Sequence, residues 1–315
     1  MLEVTINGRA IHIGPHFTVA FHRTLRIPDD GRTYPLPPGL GALPIIKLDD
    51  HLQLIASKDV PGAQAVIPMY QREALWLGFN VPSWRPHAVK VAIGRVNAVS
   101  GAPMDRILRD NPQDYIVCPD QPWLDGINTG HQAIRQFVAM PLGLGYTVEA
   151  GVTAQEAFGG MQITVFDPVP GRFPDEPPPP TEPSPMSPPQ RMAQPMGLGA
   201  GGVMRQKIYP DPYGIETWEQ SHYGSVTVHI VNSLQFRELT GIEPPPTPID
   251  AKTYTEYGLP WFDLYDEFKG DLAPSDRLAT AKTIAARDQE REETATEEGS
   301  FNVPETQVKK LMQGE

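Results

Sequence analysis

The chain has 315 residues, 40% of them hydrophobic, enough to bury one large core or two modest ones. Its net charge of −12 is concentrated beyond residue 170, where 13 basic residues face 23 acidic ones. No Lys/Arg cluster offers the basic face that phosphate neutralisation needs, so no nucleic-acid partner is expected. No apolar run approaches the roughly 18 residues of a membrane span, Met1–Ile6 lacks the pattern of a secretory signal, and the lone Cys118 rules out an intramolecular disulfide or a cysteine-rich zinc site; a cytoplasmic protein without membrane insertion is expected.

In chain order, residues 1–167 read as an all-β domain. Asn7-Gly8 between Leu2–Ile6 and Arg9–Ile13 predicts a two-residue hairpin loop. Phe17–Ile27 alternates, with Phe17, Val19, Phe21, Leu25 and Ile27 on one face and Thr18, Ala20, His22, Thr24 and Arg26 on the other. Further strands are predicted over Leu43–Leu48, Ala65–Phe79 (interrupted at Pro68), Ala88–Val96, Tyr115–Cys118, Ile134–Met140, Tyr146–Val152 and Met161–Phe166, with one short helical turn over Asp105–Arg109. Their spacing between Pro/Gly turns predicts a β sandwich or barrel-like domain.

Residues 168–202 read as a disordered linker: twelve of the 36 prolines fall in 168–195, including the unbroken run Pro177–Pro180, and Gly197–Gly202 reads as a hinge. Residues 203–271 predict a small β-α-α unit docked on the β domain. Its strand is Ser225–Val231, its first helix runs from Asn232 to Gly241, and its second is capped by Thr247 and stopped near Gly258 and Pro260. Residues 272–315 turn polar, with six acids against one arginine in Asp288–Glu298, and predict a disordered tail. Its closing Val308–Met312 reads as a frayed end or a docking peptide.

Few residue groups point to chemistry. Cys118, Asp120, Asp125 and His131 make the densest reactive neighbourhood, in which a cysteine nucleophile would need His131 as its base. The competing reading is a buried structural thiol with aspartates serving turns. His12 and His22 lie on strands that can be neighbours, which suggests a metal pair, yet no zinc-ligand spacing is present. Trp261, Phe262 and Tyr265, in the aromatic stretch Tyr254–Phe268, and the stretch Trp76–Trp84 suggest a binding surface; interdomain core is the alternative. Without a nucleophile elbow, phosphate loop or HExxH motif, and with glycines 197–202 lacking a strand–turn–helix setting, no cofactor is expected.

Three phrases carry a resemblance: Phe21–Gly31 with Tyr34–Gly39, Asp114–Asp125, and Gly258–Tyr265. They resemble an uncharacterised bacterial family with no assigned function, over most of the chain outside the proline segment and the tail. The resemblance implies a bacterial cytoplasmic protein and transfers no functional residue. The expectation is therefore a mainly β protein acting as a protein-binding or assembly module. The alternatives are a hydrolase built on Cys118, Asp120, Asp125 and His131, or a small-ligand or metal-binding β protein. The sequence leaves the oligomeric state open.

Overall fold

The computed structural model describes residues 1–48, 62–176, 195–265, 269–291 and 300–312, and in it the alternating segments are strands. β1 (Val4–Asn7) and β2 (Ala10–Ile13) form the expected hairpin one residue later than the sequence suggests. Asn7 pairs with Ala10, and Gly8 takes φ +59 at the first loop position, as the mirror-image hairpin turns require. β3 (Phe17–Thr24) buries Phe17, Val19 and Phe21 and turns Thr18, Ala20 and His22 outward, as its alternation predicts. There follow β4 (Thr33–Tyr34), β5 (Gly39–Ala42), β6 (Ile46–Lys47), β7 (Ala63–Met69), β8 (Ala74–Asn80), β9 (His87–Ile93) and β10 (Val96–Asn97). The segment Ala65–Phe79 is two strands as expected, but the break falls at a turn in which Arg72 adopts φ +68 and not at Pro68, which lies within β7 opposite Val231. Next come β11 (Ile116–Cys118), β12 (Trp123–Leu124), β13 (Gly126–Gly130), β14 (Ala133–Met140), β15 (Met161–Pro168), β16 (Pro195–Arg205), β17 (Trp218–Asn232), β18 (Trp261–Tyr265) and β19 (Val308–Met312).

The first sheet runs β1, β2, β3, β8, β14, β16, β4, with β5 beside β3, β12 beside β8 and β13 beside β14. The second runs β6, β7, β17, β15, β9, with β10 and β11 at the far side of β9. Inward residues of the first sheet (Phe21, Leu75, Leu77, Phe137) share one apolar cluster with those of the second (Ile67, Val91, Ile163, Val228). The protein is mainly β, and no closed barrel forms among the described residues. β9 is buried along its whole length. Its outward Lys90 is accommodated by three acceptors for its three protons: Asp105 Oδ1 (2.8 Å), Asp114 Oδ2 (2.8 Å) and the Ile107 carbonyl (2.6 Å). That cage holds the 105–109 segment in an irregular conformation where a helical turn was expected, although the Arg109–Asp105 pair of such a turn does form.

The division at 168–202 does not separate two cores. Of the expected linker, residues 177–194 lie outside the described residues, and residues 195–202 belong to β16. The glycines there serve close approach instead of hinging: a Cβ on Gly202 would stand 2.1 Å from the Pro28 carbonyl oxygen, and one on Gly201 would stand 2.6 Å from Val138. β17 runs between β7 and β15 in the second sheet, so the expected 203–271 unit shares the main core.

Among the described residues five short α-helices decorate the sandwich. α1 (Val148–Thr153) replaces the strand expected over Tyr146–Val152, because Thr147 caps it by accepting from the Ala150 amide and Ala154 closes it at φ +59. α2 (Ser233–Thr240) begins at Asn232 and stops at Gly241, φ +68, as expected. α3 (Ala251–Glu256) is capped by Asp250 and not by Thr247; the carboxylate accepts both the amide (2.7 Å) and the hydroxyl (2.8 Å) of Thr253. α4 (Asp276–Ala279) and α5 (Ile284–Glu290) lie in the segment expected to be a disordered tail. The order comes from a distant partner: Arg72 donates to both oxygens of fully buried Asp288 at 2.9 and 2.6 Å, and the Tyr146 hydroxyl adds a third bond. The part of that acidic run from 292 to 299 lies outside the described residues. Val308–Met312 is a strand, β19, paired in parallel with β18.

Candidate functional site

The outward face of the first sheet carries an aromatic groove of about 190 Å³. In β8 the odd-numbered residues Leu75, Leu77 and Phe79 point into the core, so Trp76 and Gly78 point out. Register sets His22 of β3 opposite Trp76, and their rings stack at 4.1 Å with 13° between planes. Two glycines leave the room that the indole occupies. A Cβ on Gly39 would lie 3.2 Å from the Trp76 ring; one on Gly78 would lie 3.0 Å from that ring and 2.9 Å from His22 Nε2. Trp123 of β12 sits opposite Gly78 and extends the aromatic floor. One wall is Leu36-Pro37-Pro38, fixed to β18 by reciprocal backbone bonds between Leu36 and Phe262 at 2.7 and 2.9 Å, and Phe262 itself lines the groove.

Among the groove's lining residues, Asp125 is the only charged one. Gln206 clamps it twice, donating to Oδ2 at 2.6 Å and accepting from its backbone amide at 3.0 Å. Burial pushes the carboxyl up to about 7 against the opposing pull of that hydrogen bond. Burial likewise lowers the His22 imidazole below its ordinary value, favouring the neutral ring that stacks on Trp76.

The other reactive residues have separate engagements. Cys118 is fully buried on β11 in the second sheet and directs its sulfur to the Gln121 carbonyl at 3.2 Å; burial, then the nearby Asp120 charge, raise its thiol well above the usual range, so it stays protonated and unreactive. Asp120 pairs with Lys269 at 3.0 Å. His131 is exposed in the turn between β13 and β14 of the first sheet. The thiol and its intended base are thus in different sheets. His12 faces Thr18, whose hydroxyl lies 3.0 Å from Nδ1, and His22 stands four residues further along β3, about 13 Å away at strand rise. Among the described residues no group of three or more His, Cys, Asp or Glu side chains is arranged to hold a metal.

Trp261 is fully buried and therefore closed to a partner; its indole N–H donates to Thr255 at 3.0 Å, with Phe301 and Tyr254 packed around it. Phe262, the next residue, is the one presented. Tyr265 pairs through its backbone with Met312 at the end of β18.

A larger cavity, about 420 Å³, lies beside the β7–β8 turn between Arg26, Arg72, Glu73 and Asp250. Its buried charges are answered within the protein: Glu73 accepts from Arg23 at 2.6 Å and from the Tyr70 amide at 2.9 Å, and Arg72 is spent on Asp288. Burial still raises the Glu73 carboxyl, more than the Arg23 charge lowers it. Sequence reasoning missed this cavity, since its parts come from positions far apart in the chain.

Comparison with family models, curated proteins and solved structures found no match. Among the described residues no helix is long and apolar enough to cross a membrane.

Proposed function

We propose that the chain is a non-enzymatic protein-binding module whose aromatic groove takes an extended, proline-rich peptide. The observation that carries this is the apolar groove itself, lined by half-buried Trp76 and Trp123 with Phe262 and Pro37-Pro38 around them. Aromatic-lined grooves receive proline-rich segments, and a polyproline II ligand is already extended, so little conformational entropy is lost on binding. The acidic net charge supports a protein partner over a nucleic acid, and the single reduced thiol, with the resemblance noted above, supports a bacterial cytoplasmic setting.

The test is a titration of the protein with a synthetic proline-rich peptide, followed by tryptophan fluorescence. Binding should shift the emission, and Trp76→Ala should weaken it at least tenfold while leaving the circular dichroism unchanged. No response to any proline-rich peptide, or equal binding by Trp76→Ala, refutes the reading.

A further inference from the structure

The outward face of the second sheet holds a polar pocket of about 270 Å³, on the other layer of the sandwich from the aromatic groove and independent of it. Ile163, Val165, Val226 and Val228 point into the core, so Gln162, Thr164, Ser225 and Thr227 point out. Register sets Thr164 of β15 beside Ser225 of β17, and Gln162 beside Thr227. Thr164 is 3% exposed and Thr227 5%, yet neither hydroxyl, nor that of Ser225, bonds any described residue. Polar groups so nearly buried are as a rule partnered, and donors gathered in one concavity mark a place for an acceptor.

Two guanidiniums stand beside this hydroxyl floor. Arg95, in the turn between β9 and β10, lies over the Phe158 ring at 3.6 Å. Arg106 lies over the Tyr223 ring at 5.1 Å and donates to its hydroxyl at 3.0 Å. Stacking on an aromatic ring fixes a guanidinium without neutralising it and leaves N–H groups at its edge. Among the described residues no carboxylate pairs with either one. Asp105, the remaining charged residue of the lining, is committed to Lys90 at 2.8 Å and to Arg109 at 3.0 and 2.5 Å. Buried Glu149, next to Gly94, accepts the amides of Ala157, Phe158 and Gly159.

Two cations and three hydroxyl donors match a phosphate group, which carries close to two negative charges at neutral pH and three terminal oxygens; a carboxylate offers one charge and two oxygens. The pocket is just smaller than the roughly 300–1,000 Å³ that takes drug-sized ligands, so any carrier is short. We propose that this pocket binds the terminal phosphate of a small anion, free or as the monoester of a short carrier, between Arg95, Arg106 and the hydroxyls of Thr164, Ser225 and Thr227.

Isothermal titration calorimetry with glycerol phosphate, inorganic phosphate and acetate tests this on the full chain. The variants are Arg95→Gln with Arg106→Gln, and Thr164→Val with Thr227→Val, which keeps the shape and both cations. The wild type should bind a phosphate probe with a Kd of about 1 mM or tighter, and acetate more weakly. The arginine variant should bind about tenfold more weakly or worse, and the threonine variant severalfold more weakly. At equal ionic strength, phosphate should raise the melting temperature of the wild type above that in chloride, and not that of the arginine variant. Melting curves in chloride that match the wild type confirm that both variants fold. The tighter of the two phosphate probes names the source of the group. No saturable heat from either phosphate, acetate bound as tightly as phosphate, or either variant binding like the wild type overturns the proposal.

Discussion

Asp125 shows how one residue can be read both as site and as stability. Its folded-state value of about 7 stands above its ordinary 3.8, so the folded state favours the protonated carboxyl. The stability that this provides is complete below about pH 4 and is lost as pH rises through 7. Asp125→Asn keeps the shape and can still bond Gln206 but carries no charge. Its melting temperature relative to wild type should therefore rise between pH 4 and pH 8 and then level off, a gain on the order of 2–4 kcal/mol at the upper end. A difference that does not vary with pH contradicts the burial argument. Trp261 belongs to the same scale from the opposite side: fully buried, it has no exposed face to give a partner. Trp261→Ala should cost about 3–5 kcal/mol, read as a lowered denaturation midpoint, and an unchanged midpoint would remove it from the core.

At the scale of elements, what could be read from sequence follows from where each element's information lies. β3 announces itself because every second residue is apolar, and α2 because Asn232 and Gly241 mark its ends with local chemistry. β16 does not, since its glycines have no side chains with which to alternate; their reason, the nearness of Pro28 and Val138, appears only after folding. α5 was hidden for a related reason. Asp288 sits in a run of acids that looks solvated, and its order depends on Arg72, 216 residues away. The groove was half legible: Trp76, Asp125 and Phe262 each stood out as residues, but their convergence depends on the pairing of β8 with β12 and of Leu36 with Phe262.

At the scale of the molecule, the two halves of the chain on either side of residues 177–194 are interleaved. β16 pairs with β14, and β17 lies between β7 and β15, so a cut in that interval severs the chain without exposing a separable interface. With a specific protease site inserted there, the cleaved protein should elute as one species and melt in one transition. Fragments that part without denaturant would show that the shared core is not what holds them.

The pairing of β7 with β17 also sets an order of events during synthesis. Val226 meets Ala63 about 160 residues after Ala63 has been made, so at ribosomal speed the inner edge of β7 waits roughly 10–30 s for its neighbour. Throughout that interval a strand of apolar residues presents an open edge, the form most prone to pairing with the wrong chain. Expression at lowered temperature, or alongside holding chaperones, should therefore raise the yield of this protein by protecting the nascent chain, with no change in the stability of the finished fold.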